Sequence, residues 1–191
     1  MTSRPRGAGV VELLVGAALG VAVLSMLTAT LAAGSRLLVA AGARGEAEDT
    51  AQLAVEAFGF DARRAGYDPA GVGVTPLLEA RPDRVTFAAD LDGDGVVDAA
   101  SEEVTAHACL TSPGRISRIV GRQSLPMADG VTRCGFRYFD VHGTAIAVPA
   151  GGLDAVGRAG VRAVAVDVTM TPTGLRAPSQ RTVLVALRRS P

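Results

Sequence analysis

From Leu13 to Ser35 the chain carries no charged residue, and this apolar run has about the 20 residues that a bilayer-spanning helix needs. Beyond it, from Arg36 to about Gly66, the apolar residues Ala47, Ala51, Ala54, Phe58 and Ala65 recur at three- and four-residue steps. That spacing predicts an amphipathic helix with one stripe turned to a core. Glu46, Glu48, Asp49, Glu56, Asp61, Arg63 and Arg64 fall mostly in the remaining directions, as on a solvated face. Gly34, Gly42 and Gly45 predict bends or local melting, since each disfavours helix by about 1 kcal/mol relative to alanine. Gly66 suits a left-handed cap, and Asp68-Pro69 makes continuation unfavourable.

After Pro76 the periodicity changes to that of strands. Val85 to Phe87, Val131 to Phe139, Val161 to Met170 and Arg181 to Leu187 are β-branched or aromatic runs set off by glycine and proline. Alternation is clearest where Val164, Val166, Val168 and Met170 share one side and Ala165, Asp167 and Thr169 the other. Val183, Val185 and Leu187 repeat it, so the last two runs, joined by T-P-T-G-L-R-A-P-S-Q, are expected as a hairpin whose apolar face meets the amphipathic helix. The expected fold is α+β: a long N-terminal helix packed on an antiparallel β-sheet head. Its parts are residues 1–7, a membrane-spanning half over 8–34, an amphipathic half over 35–66, and a β-rich head over 67–191.

Acidic and basic residues balance at 19 each, so no excess positive field is available for a nucleic-acid backbone. Arg4 and Arg6 precede the apolar run with no acid among them, which keeps the short N-terminal end cytoplasmic and sends the rest across the membrane. A secretory signal peptide also begins basic and then apolar, but its core is only about 7 to 15 residues. Glu12 at the head of the apolar run is the discordant residue, because an ionised carboxylate near hydrocarbon requires a partner and marks a functional site.

The segment G-A-G-V-V-E-L-L-V-G resembles the class III signal of type IV pilins, a glycine followed by a short apolar stretch and a glutamate. The resemblance implies cleavage by a prepilin peptidase between Gly7 and Ala8, with Glu12 as the fifth mature residue. It also implies that the new terminal amine of one subunit neutralises Glu12 of its neighbour, making the charge an assembly register. In place of the family's usual phenylalanine, Ala8 would open the mature chain. F-D-A-R-R-A-G-Y-D-P resembles the corresponding helix end of PilW-like minor pilins, and L-P-M-A-D-G-V-T-R-C-G-F-R-Y-F-D-V-H-G resembles their strand and turn before the last hairpin.

Cys109 and Cys134 both follow the apolar run, in the part expected outside the cytoplasm, where an oxidising compartment lets a disulfide persist. A single disulfide is expected; two separate buried thiols are the alternative. The stretch between them is polar and contains glycine and proline, and closing a loop of that size stabilises by roughly 3 kcal/mol.

D-L-D-G-D-G-V-V-D places Asp90, Asp92, Asp94 and Asp98 at positions 1, 3, 5 and 9 of a calcium-type loop, with Gly95 at 6 and the Val96 carbonyl at 7. Ser101 stands at position 12, and Glu102 and Glu103 come one and two residues late. The plain alternative is an acidic turn, favoured by aspartate and glycine. His107 and His142, the only histidines, lack metal-ligand spacing and are expected exposed or satisfied. No nucleophile elbow, phosphate loop or zinc-protease motif is present, so no enzyme is expected.

The resemblance implies a PilW-like minor pilin acting in assembly of a type IV pilus. Its partners would be other pilins, the prepilin peptidase and the inner membrane, with the head in the periplasm and calcium as the one candidate cofactor. A J-type pseudopilin of type II secretion is the near alternative, and a signal-anchored periplasmic calcium-binding domain the distant one.

Overall fold

The computed structural model describes residues 8–111, 114–170 and 179–187. The expected leader 1–7 with Gly7, the greater part of the connection before the last strand (171–178) and the Ala47 side chain lie outside that description. The chain divides into two compact units, one up to Ala43 and one from Arg44 onward. The fold is α+β, a long N-terminal helix followed by antiparallel sheets, consistent with a pilin-like fold.

Helix α1 runs unbroken from Ala8 to Arg64. The local melting expected at Gly34, Gly42 and Gly45 does not occur. Each glycine keeps its backbone in the helical ladder, and the surrounding leucines, alanines and Glu46 are strong helix formers that outweigh the small local penalty. The C-terminal end behaves as expected: Gly66 adopts φ 73°, and its N–H donates to the Ala88 carbonyl at 2.8 Å, turning the chain onto the first sheet.

In the second unit, β1 (Leu77–Ala80), β2 (Arg84–Ala88), β3 (Val104–Thr111), β4 (Gly114–Val120) and β5 (Gln123–Asp129) form one antiparallel sheet in that order. The other sheet has the order β7-β6-β8-β9, from β6 (Val131–Phe139), β7 (Ala145–Ile146), β8 (Ala163–Met170) and β9 (Ser179–Ala186). Between β7 and β8 a short helix, α2 (Ala155–Gly160), is capped by Asp154, whose carboxylate accepts from the Gly157 N–H at 2.7 Å.

The polar stretch between the cysteines, in which the pattern named no strand, is ordered as β4 and β5. Its arginines, serines and proline carry little strand signal, and pairing with β3 supplies the order: Ile116 stands opposite Cys109 and is fully buried, and Ser117 stands opposite Ala108. Pro126 is accommodated because β5 is an edge strand, where a missing N–H disrupts no ladder.

One core joins the amphipathic half of α1 to both sheets. Ala51, Ala54, Phe58 and Ala65 are buried as expected, together with Val55 and Ala62. Phe58 meets Phe87 of β2 at 5.7 Å and Phe136 of β6 at 5.8 Å between ring centroids. Val164, Val166, Val168 and Met170 line the buried face of β8. Ala165, expected outside, is also buried, because its cross-strand neighbours Arg137 and Leu184 are much larger. Cys109 and Cys134 form a disulfide with Cα atoms 5.6 Å apart, linking β3 to β6 and thus one sheet to the other. Tyr138 reinforces the junction by donating its hydroxyl to the Arg81 carbonyl at 2.8 Å.

Candidate functional site

Three places hold the residues on which function could turn. In the first unit, α1 is long and apolar enough to cross a membrane, and none of its apolar stretch is buried within the chain. The few hydroxyls there are satisfied inside the helix: Ser25 donates to the Val21 carbonyl at 2.7 Å and Thr30 to the Met26 carbonyl at 2.9 Å. A helix whose polar groups are internally bonded suits hydrocarbon. Glu12 is exposed near its start, with no hydrogen-bond or ion-pair partner among the described residues.

The second place is the acidic loop after β2. Asp90, fully buried, accepts from the Gly93 N–H at 2.7 Å and the Gly95 N–H at 3.1 Å. Glu103, one residue before β3, reaches back over the loop. Its two carboxylate oxygens accept from the Leu91 and Asp98 N–H groups, each at 2.7 Å. Those N–H groups of Asp98 and Leu91 hold the Glu103 carboxyl below its usual range, against the smaller opposing effect of burial. The carboxylates that gather within 4.8 Å are Asp90, Asp92 and Glu103. Asp94 and Asp98, expected as ligands at positions 5 and 9, are not among them: they accept from the Val96 and Ala100 N–H groups. A hard cation such as calcium would draw its protein carboxylates from Asp90, Asp92 and Glu103.

The third place was not foreseen. Asp61 falls on the buried face of α1 and is 4 % exposed, whereas the pattern put it with the solvated charges. Arg118 of β4 grips it through Nε to Oδ2 at 2.7 Å and Nη2 to Oδ1 at 3.0 Å. His107 of β3, fully buried, meets Asp61 Oδ2 through Nε2 at 2.9 Å. The carboxylate is ionised against the guanidinium, so Nε2 carries the proton and donates, while Nδ1 has no partner among the described residues. Burial by itself would raise the Asp61 carboxyl, but the hydrogen bonds from His107 and Arg118, together with the Arg118 charge, outweigh it and hold Asp61 below its usual range. Phe58 packs edge-on to the imidazole at 5.3 Å and Phe87 at 6.2 Å. A cavity of about 10 Å³ beside Asp61 is room for about one water.

No protein-family model matches this chain, and no curated protein matches it either. The functional reading therefore rests on the residues themselves. Asp61 could have been found from sequence: Ala54, Phe58, Asp61 and Ala65 follow one another at steps of four, three and four, so Asp61 belongs to the apolar stripe by position. Arg118 and Glu103 have no comparable signal, because each acts across a turn or a strand pairing that only the fold brings about.

Proposed function

We propose that this chain is a PilW-like minor pilin, a structural subunit that enters or primes a type IV pilus. The observation that carries the proposal is Glu12: an acid at the head of an apolar, exposed helix, without a partner among the described residues. A carboxylate in that setting calls for a cation beside it. The terminal amine released by cleavage between Gly7 and Ala8 of a neighbouring subunit is the group that the resemblance supplies. The apolar half of α1 would be the inner-membrane anchor, Arg4 and Arg6 would stay on the cytoplasmic side, and the disulfide-linked head would stand in the periplasm. Its work is packing, and no bond is made or broken.

The test is to express the full chain with and without a prepilin peptidase and to determine the mature N-terminus by mass spectrometry. A peptidase-dependent start at Ala8 is expected. An uncleaved chain, or a start near Gly34, would overturn the proposal.

A further inference from the structure

The first unit of α1 holds a repeated motif that opens once on an acid and once on a base. E-L-L-V-G-A-A-L (12–19) recurs 24 residues later as R-L-L-V-A-A-G-A (36–43), and Glu12 and Arg36 are the only charged side chains from Ala8 to Ala43. Both are exposed, and neither has a hydrogen-bond or ion-pair partner among the described residues. Residues three, four and seven positions on share the helical face of each charge. Glu12 thus shares its face with Val15, Gly16 and Leu19, and Arg36 shares its face with Val39, Ala40 and Ala43. Val15, Leu19 and Val39 are all exposed. A side chain at Gly16 would meet nothing of the described chain within 4 Å, so no contact of its own chain explains this poor helix former.

Twenty-four residues of helix rise about 36 Å, against about 30 Å for the hydrocarbon core of a bilayer. Two copies inserted at equal depth set acid beside acid at one edge and base beside base at the other. Raising one copy by about a membrane thickness brings its Glu12 level with Arg36 of the copy left behind. We infer that a second copy of this chain docks with this 24-residue stagger, setting its Glu12 beside Arg36 and its Val15, Gly16 and Leu19 along Val39, Ala40 and Ala43.

Charge, size and coverage all select this register. Each charge gains the opposite partner that an apolar contact requires. Gly16 falls beside Ala40, and two small residues let the backbones approach closely; Leu19 falls beside Ala43, large against small. With Glu12 and Arg36 at the two edges of the hydrocarbon, Val39 stands beyond it, and the raised copy's apolar segment covers it. The two faces lie about six and two-thirds turns apart, so they point in different directions around the helix. Each copy can therefore hold one neighbour through Arg36 and another through Glu12, a heterologous contact that propagates as an open helical string. The inference rests on the filament-subunit reading and gives Glu12 a cation additional to the terminal amine.

The experiment expresses two differently tagged full-length copies in cells that assemble a type IV pilus and treats them with a short, membrane-permeant thiol cross-linker. The native cysteines are both in the disulfide, so introduced cysteines are the reactive thiols. Val15→Cys in one copy and Val39→Cys in the other should cross-link several-fold more than either substitution paired with itself. Adding Arg36→Glu to the Val39→Cys copy should cut the mixed yield several-fold, whereas Arg36→Lys should preserve it. Same-position yields equal to the mixed yield, or a mixed yield indifferent to Arg36→Glu, overturns the inference. The N-terminus is read in the same preparation. A start at Ala8 without mixed cross-links removes this contact and leaves the filament reading standing. An uncleaved chain with mixed cross-links does the reverse.

Discussion

Asp61 on α1 and His107 on β3 are 46 residues apart in sequence, and the imidazole Nε2 lies 2.9 Å from the carboxylate Oδ2 in the core. With Arg118 they form the polar tie between a helix face built largely of alanine and the first sheet. Alanine buries little area, and each Å² of apolar surface contributes only about 25 cal/mol, so an ionic tie at this place also fixes which residues of the helix meet the sheet. Removing one member strands the others.

Asp61→Asn removes the counter-ion that Arg118 grips at two points and leaves it only the more exposed Glu102, 3.9 Å away. The expected loss is about 3 kcal/mol, toward the lower end for breaking a buried pair because Arg118 retains some exposure. Asp61→Leu combined with Arg118→Met should cost clearly less than the sum of its parts. Chemical denaturation of the four proteins checks this, and strict additivity would mean that the residues are not coupled.

Acid should loosen the same tie. The folded Asp61 carboxyl titrates below its usual value of 3.8, so its contribution is fully present above about pH 5 and is lost as pH falls through the folded value. The stability gap between wild type and Asp61→Asn is therefore constant near neutrality and narrows below about pH 4. Asp68, Glu103, Asp140 and Asp167 are also held low, but both proteins share them and the difference cancels their effect. A gap that widens in acid would contradict the assignment.

The Cys109–Cys134 disulfide closes a separation of 25 residues and joins the two sheets. Replacing both cysteines with alanine should lower stability by about 3 kcal/mol through the freedom returned to the unfolded chain. Thermal melts with and without reductant measure it: reductant should destabilise the wild type and leave the variant unchanged.

Glu103 closes the acidic loop by accepting from N–H groups at both its ends. Glu103→Ala should speed protease cleavage between Leu91 and Ala100 several-fold. Asp94→Ala, which loses one local bond to Val96, should change it little. Equal effects of the two substitutions would show that Glu103 is not the closing residue.

If Glu12 registers subunits in a filament, Glu12→Ala should leave cleavage before Ala8 intact and remove the protein from sheared filaments while it accumulates in the membrane. Immunoblots of the two fractions decide this. Normal recovery in filaments would assign the acid to the membrane interface alone.

Legibility from sequence followed the range of the interactions. A helix face and a strand alternation are written in steps of two, three or four residues, so the two halves of α1, its end at Gly66 and the strands β2, β6, β8 and β9 could be read directly. The disulfide was within reach for a similar reason, since only two cysteines exist to be paired. β4 and β5 escaped because Arg115, Ser117, Arg118 and Pro126 have weak strand preference and are ordered by pairing with β3. The acidic loop was legible as an acidic turn, but the carboxylate that joins Asp90 and Asp92 comes from Glu103, beyond the repeat.

The sequence by itself determined an apolar helix with an acid at its head, an amphipathic continuation and an α+β head, because each depends on local periodicity and side-chain chemistry. Only the tertiary structure decided that Asp61 is a buried ion clamped by Arg118 and His107, and that the cysteines tie one sheet to the other. Those relations depend on which strands become neighbours, and the free energy that selects the neighbours is summed over the whole core rather than carried by any single segment.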